Sequence, residues 1–111
     1  MKSIKHAIEG ILYAIKTEKN FSIMMVCSFL VVLVNIVLSV SRLDWIITLL
    51  CSGLVLGLEL INTSIERTLD LYSDKYDLNI KVIKDMVAGG VLIVSLVSFT
   101  IGVLVYLPYV L

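Results

Sequence analysis

The 111-residue chain contains one proline, one histidine, one tryptophan and two cysteines. With its single proline at position 108, no proline interrupts the sequence before its end, so long unbroken helices are allowed. Two cysteines cannot build a disulfide framework and do not have zinc-ligand spacing. Cys27 and Cys51 fall in apolar runs and read as buried thiols acting as small hydrophobes. A lone His6 makes no metal site. Charge is scarce at 16% of residues and sums to zero, and no nucleic-acid partner is expected. The glycine-rich phosphate loop of soluble kinases, G-x-x-x-x-G-K-[ST], is missing. There are no internal repeats and no low-complexity tract.

What remains is hydrophobic. The composition is 59% apolar with a mean hydropathy of +1.05, which belongs to a membrane protein rather than a small soluble domain. Three windows are long enough to span a bilayer: 21–40, 45–65 and 86–110. The first has no small-residue cleavage site after it and is too long for a signal peptide. Ile4, Ala7, Ile8, Ile11, Leu12 and Ile15 recur at helical spacing opposite Lys2, Lys5, Glu9 and Lys16, so residues 2–16 read as an amphipathic helix lying on the membrane surface. The predicted fold is an all-α integral membrane domain over 1–111, with three transmembrane helices and an N-terminal amphipathic surface helix.

Eight of the nine Lys and Arg residues lie in two segments. Lys2, Lys5, Lys16 and Lys19 precede the first span; Arg67, Lys75, Lys81 and Lys84 follow the second. Only Arg42 occupies the turn Ser41–Asp44. The positive-inside rule then puts the N-terminus in the cytoplasm and the C-terminus outside. The short turn makes the first two spans antiparallel neighbours, and Asn35, inside the first, reads as an inter-helix hydrogen-bonding residue. The second helix is expected to continue through Asp70, with a connection over 71–83 whose most turn-like stretch is 73–77. Gly89 and Gly90 are expected to let the third helix approach its neighbours closely.

The informative feature is an acid inside the second span. Glu59 at that depth costs roughly 2.5–3.5 kcal/mol on insertion scales, so it is expected to be functional. Glu59, Asn62, Glu66 and Asp70 follow at i, i+3, i+7 and i+11, a stripe roughly 80° wide on one helix. Counted from Trp45 at the outer interface, Glu59 lies ~21 Å into a core ~30 Å thick, and Glu66 lies ~10 Å further along. A lipid hydroxyl reaches the first level and a soluble phosphate donor the second. Glu18 and Glu66, both at the cytoplasmic boundary, are carboxylates of the kind that suit Mg²⁺, and Lys84 adds positive charge for phosphate oxygens. By spacing alone the ridge also suits a small proton-coupled multidrug transporter using Glu59, although such proteins usually have four spans. A lipid-facing Glu59 needs cover from another helix, which predicts a homo-oligomer.

Glu59-Leu-Ile-Asn62-Thr-Ser-Ile-Glu66, then Asp70, then Lys84-Asp85-Met-Val-Ala-Gly-Gly-Val91, resembles the signature of the bacterial integral-membrane lipid kinases, the small diacylglycerol kinases and undecaprenol kinases. Ala7-x-x-Gly10 and Glu18-x-x-Phe21 match as well, so the resemblance covers nearly the whole chain. It implies a homotrimer in the bacterial inner cell membrane, with sites between protomers, that phosphorylates a lipid alcohol from ATP with Mg²⁺. By carry-over, Glu59 is the general base facing the lipid substrate, and Glu18 and Glu66 hold magnesium and nucleotide. Lys75, Tyr76, Asp77, Lys84 and Asp85 contact ATP; Asn62 and Asp70 support the site. Asp77 stands where many members have histidine, and Phe21-Ser22 where a phenylalanine–arginine pair is common. The short connections and lack of extra N-terminal sequence look more like the undecaprenol kinases.

Overall fold

The computed structural model describes residues 2–73 and 75–111. Within them are four helices: α1 (Lys2–Thr17), α2 (Lys19–Leu38), α3 (Arg42–Tyr72) and α4 (Leu78–Val110). Helices α2, α3 and α4 are each long and apolar enough to cross a membrane. The protein is an all-α membrane protein with one short additional helix.

Helix lengths set the shape. Twenty residues make α2 about 30 Å long, just the thickness of a hydrocarbon core. The 31 residues of α3 and 33 of α4 extend roughly 16–20 Å beyond such a core. Their shared overhang lies at the end where α1 meets α2, and the molecule is 52 Å in its longest dimension. This overhang is the charged end of the bundle.

Local chemistry places each helix end. Ser39 takes a left-handed backbone (φ 51°), and the amides of Ser39 and Val40 donate to Ile36 and Asn35 carbonyls at 3.2 Å. That closure ends α2 at Leu38, two residues before the expected limit. Ser41 then caps α3, its hydroxyl accepting from the Asp44 amide at 3.2 Å, so Arg42 is already helical and the turn occupies 39–41 instead of 41–44. No glycine or proline stops α3 at the far interface, and it continues as expected, to Tyr72. The connection to α4 is shorter than the predicted 71–83. Asp77 caps α4, accepting from the Asn79 amide at 2.8 Å, which makes Leu78–Ile83 helical. The expected turn at 73–77 coincides with this link, with Asp74 outside the described residues.

At the end away from the overhang, polar side chains tie the three long helices together. Asn35 of α2 is fully buried; its Nδ2 donates to Thr48 Oγ1 of α3 at 2.9 Å, and its Oδ1 accepts from the Tyr106 hydroxyl of α4 at 2.6 Å. The Tyr109 hydroxyl donates to Asp44 Oδ2 at 2.5 Å and accepts from the Ser41 amide at 3.0 Å. Asn35 therefore acts as the inter-helix residue its position suggested. Hydrogen bonding matters here because lipid tails supply no hydrophobic drive for helix association.

Two expectations fail. Cys27 is exposed and Cys51 only half-buried, both as free thiols, because their faces of α2 and α3 border an open groove rather than a packed core. A Cβ added at Gly89 or Gly90 would meet nothing within 4 Å, so no helix of this chain uses those glycines for close approach.

Candidate active site

The acidic ridge lies unbroken on α3 and its burial is graded along it. Glu59 and Asn62 are buried, at 7% and 8% exposure; Glu66 is half-buried and Asp70 exposed. The ridge thus runs from the packed middle of the bundle to the overhang. Glu59 is covered within a single chain, which corrects the expectation that an isolated protomer leaves it facing lipid. Its burial is no argument for assembly.

Asn62 carries an unusual signature. Its Oδ1 is buried and has no hydrogen-bond partner among the described residues. Such an orphan costs about 1–3 kcal/mol and is rare enough to require an explanation. One turn from Glu59, it presents an acceptor to whatever polar group enters there.

Glu18 arrives from a different element. It is the single non-helical residue between α1 and α2, with extended backbone (φ −116°, ψ 106°) and no capping role for its side chain. Ser22 fixes this corner, its hydroxyl donating to the Ile15 carbonyl at 2.5 Å, while Phe21 is buried beneath it at 2% exposure. The Glu18 carboxylate turns toward α3 and pairs with Arg67, the neighbour of Glu66. Glu18 thereby reaches the level of Glu66, and Glu59 lies seven residues, about two turns, back along the same ridge of α3. Among the described residues, no three His, Cys, Asp or Glu side chains form a ligand cluster.

The remaining sequence candidates fall into two groups. Lys84 of α4 donates to Asp70 of α3 at 2.6 Å, joining the two helices across the overhang. Asp85 pairs one turn back with Lys81 at 2.6 Å and is exposed. Lys75 and Tyr76 project from the link, with Tyr76 80% exposed and far from enclosed. Asp77 has a structural occupation as the α4 cap, which a nucleotide role does not explain.

Arg67 is the participant that sequence reasoning missed. Its guanidinium lies 5.1 Å over the Tyr13 ring and donates to the Tyr13 hydroxyl at 3.3 Å, to Thr17 Oγ1 at 3.1 Å and to Glu18. A lone arginine directly after the second acid of the ridge was the available signal.

The profile of prokaryotic diacylglycerol kinases matches residues 5–106. The chain belongs to that family. It is 37% identical over 107 residues to an undecaprenol kinase of Bacillus subtilis, covering 96% of this chain and 87% of the relative. It is 32% identical over 107 residues to a diacylglycerol kinase of Synechocystis, covering 96% of this chain but 61% of that longer relative. The protein is therefore a membrane-embedded lipid kinase, and the transporter alternative has no support. In this kinase, Glu59, Asn62 and Glu66 share one helix while Glu18 and Lys84 reach it from its two neighbours.

Proposed function

We infer that this kinase transfers the γ-phosphoryl group of ATP to the hydroxyl of undecaprenol at the cytoplasmic face of the bacterial inner membrane. The observation that carries the reading is buried Glu59 beside the unpartnered Oδ1 of Asn62, on the ridge that rises to Glu66 at the overhang. The substrate choice is supported by the likeness to an undecaprenol kinase over most of both chains, whereas the diacylglycerol kinase relative is considerably longer.

In this reading the Glu59 carboxylate accepts the proton of the lipid hydroxyl, whose oxygen bonds to the γ-phosphorus as the bond to the ADP oxygen breaks. The hydroxyl's one hydrogen is committed to Glu59, so Asn62 Oδ1 accepts from a different N–H or O–H donor that enters with the substrates. Phosphoryl transfer asks for positioning and charge neutralisation more than covalent help, which suits a site of so few residues. Glu18 and Glu66 fit Mg²⁺, which ordinarily takes one or two carboxylates and completes its shell with phosphates and water. When bound, it neutralises charge on the phosphate oxygens. Lys84, held by Asp70, and Asp85, Lys75, Tyr76 and Asp77 face the nucleotide from the overhang. The N-terminus lies inside and the C-terminus outside, and the working unit is the trimer implied by the family resemblance.

Purified protein with ATP and either undecaprenol or diacylglycerol tests this directly. Glu59→Gln keeps size and removes the base, and is expected to slow transfer ~10²–10⁴-fold while ATP still binds. Glu66→Gln is expected to weaken Mg²⁺–ATP binding as well as turnover, with partial recovery in excess magnesium. Wild-type rates in Glu59→Gln would remove the base assignment, and preference for diacylglycerol would reassign the acceptor.

A further inference from the structure

Arg67 and Glu18 lie 49 positions apart in sequence and meet at the boundary where α1, α2 and α3 converge. The pairing is lopsided. Both guanidinium bonds, from Nε at 3.0 Å and from Nη2, converge on Oε1 of Glu18, and among the described residues Oε2 has no partner. This is not the fork-to-fork arrangement that makes arginine–carboxylate pairs strong. The side chains are also 45% and 31% exposed, so water competes for both partners and the pair is weak enough to exchange.

The guanidinium has a second set of holds that does not depend on Glu18. The Tyr13 ring lies beneath it at 5.1 Å, and the Tyr13 hydroxyl and Thr17 Oγ1 accept from Nη1 and Nη2 at 3.3 and 3.1 Å. Thr17 is itself fixed by donating to the Tyr13 carbonyl at 2.8 Å. If Glu18 leaves, Arg67 remains seated on α1 at the same level, with the donors that Glu18 used now free. A planar guanidinium held in this way matches phosphate oxygens.

We propose that the Arg67–Glu18 pair is an exchange site: a divalent cation takes the Glu18 carboxylate, and a phosphate of the nucleotide takes the freed Arg67 guanidinium. This rests on the reading of Glu18 as a cation ligand given above. It makes Arg67 a competitor for Glu18 in the empty enzyme and a phosphate-binding residue in the loaded one. The same residue thereby opposes a bare cation and favours a cation that arrives with its nucleotide.

Mn²⁺ binding to the purified protein without nucleotide, followed by electron paramagnetic resonance, separates these roles from simple support of α1. Arg67→Gln is expected to bind Mn²⁺ about two- to fivefold more tightly, since a weak competing ion pair is gone. The ATP concentration for half-maximal phosphorylation is expected to rise about tenfold, and Arg67→Lys should recover part of that rise by restoring charge without the fork. Circular dichroism in micelles checks that each variant is folded. Unchanged Mn²⁺ binding in Arg67→Gln, with binding lost in Glu18→Gln, overturns the exchange while leaving Glu18 a cation ligand. Mn²⁺ binding that survives Glu18→Gln removes the underlying assignment itself. Weaker Mn²⁺ binding in Arg67→Gln also overturns the exchange, because a residue that merely holds α1 in place gives that result.

Discussion

Replacing Asn35 by leucine tests how the three long helices are held together. Asn35 is 0% exposed, and its amide bridges Thr48 of α3 at 2.9 Å and Tyr106 of α4 at 2.6 Å. Leucine keeps the branched outline and the number of side-chain heavy atoms but is bulkier, so the change removes hydrogen bonds without opening a void and adds some crowding. Inter-helix hydrogen bonds in membranes average about 0.6 kcal/mol and reach about 1.7, which puts the loss of two between roughly 1 and 3 kcal/mol. The lower half of that range is expected. Thr48 keeps its own bonds to the Asp44 and Trp45 carbonyls at 2.8 and 3.2 Å, so only the Tyr106 hydroxyl loses its acceptor outright. Unfolding in mixed micelles with increasing dodecyl sulfate measures the change. Double-mutant cycles of Asn35→Leu with Thr48→Val and with Tyr106→Phe apportion it. Thr48 lies eleven residues from Glu59, about 16 Å along α3, and activity per folded molecule should stay within roughly twofold of wild type. Wild-type stability in Asn35→Leu, or zero coupling in both cycles, would refute the role assigned to this junction.

Three further outcomes are expected. Reporter fusions at residue 2 and after Leu111 should report opposite sides of the membrane; both on one side would contradict the three-span topology. Asp77→Ala removes the α4 cap and should cost about 1 kcal/mol, seen as faster amide exchange in the first turn of α4 in nucleotide-free protein, with the spans unaffected. Mixing inactive Glu18→Gln and Glu59→Gln chains should restore part of the activity if Glu18 serves the ridge of a neighbouring protomer, whereas no recovery would place Glu18 and Glu59 of each site within one chain.

Much of this protein is legible in one dimension. Span length and hydropathy need only the count of apolar residues, so the three long helices follow from composition. The angular repeat of a helix is constant, so the ridge of Glu59, Asn62, Glu66 and Asp70 follows from spacing alone. Even the corrected helix starts had local signals: Ser41-x-x-Asp44 and Asp77 before an apolar run are both N-terminal patterns. Pairings across the bundle were not legible. Nothing in sequence says that Arg67 meets Glu18, that Lys84 meets Asp70, or that Asn35 meets both Thr48 and Tyr106. Whether Glu59 is covered, and whether Gly89 and Gly90 are used, also depended on how the helices rotate and pack. Rotation about a helix axis costs little in local energy and is settled by contacts between distant segments. The identity of the acidic residues was therefore written in the sequence, while their burial and their partners belong to the tertiary structure.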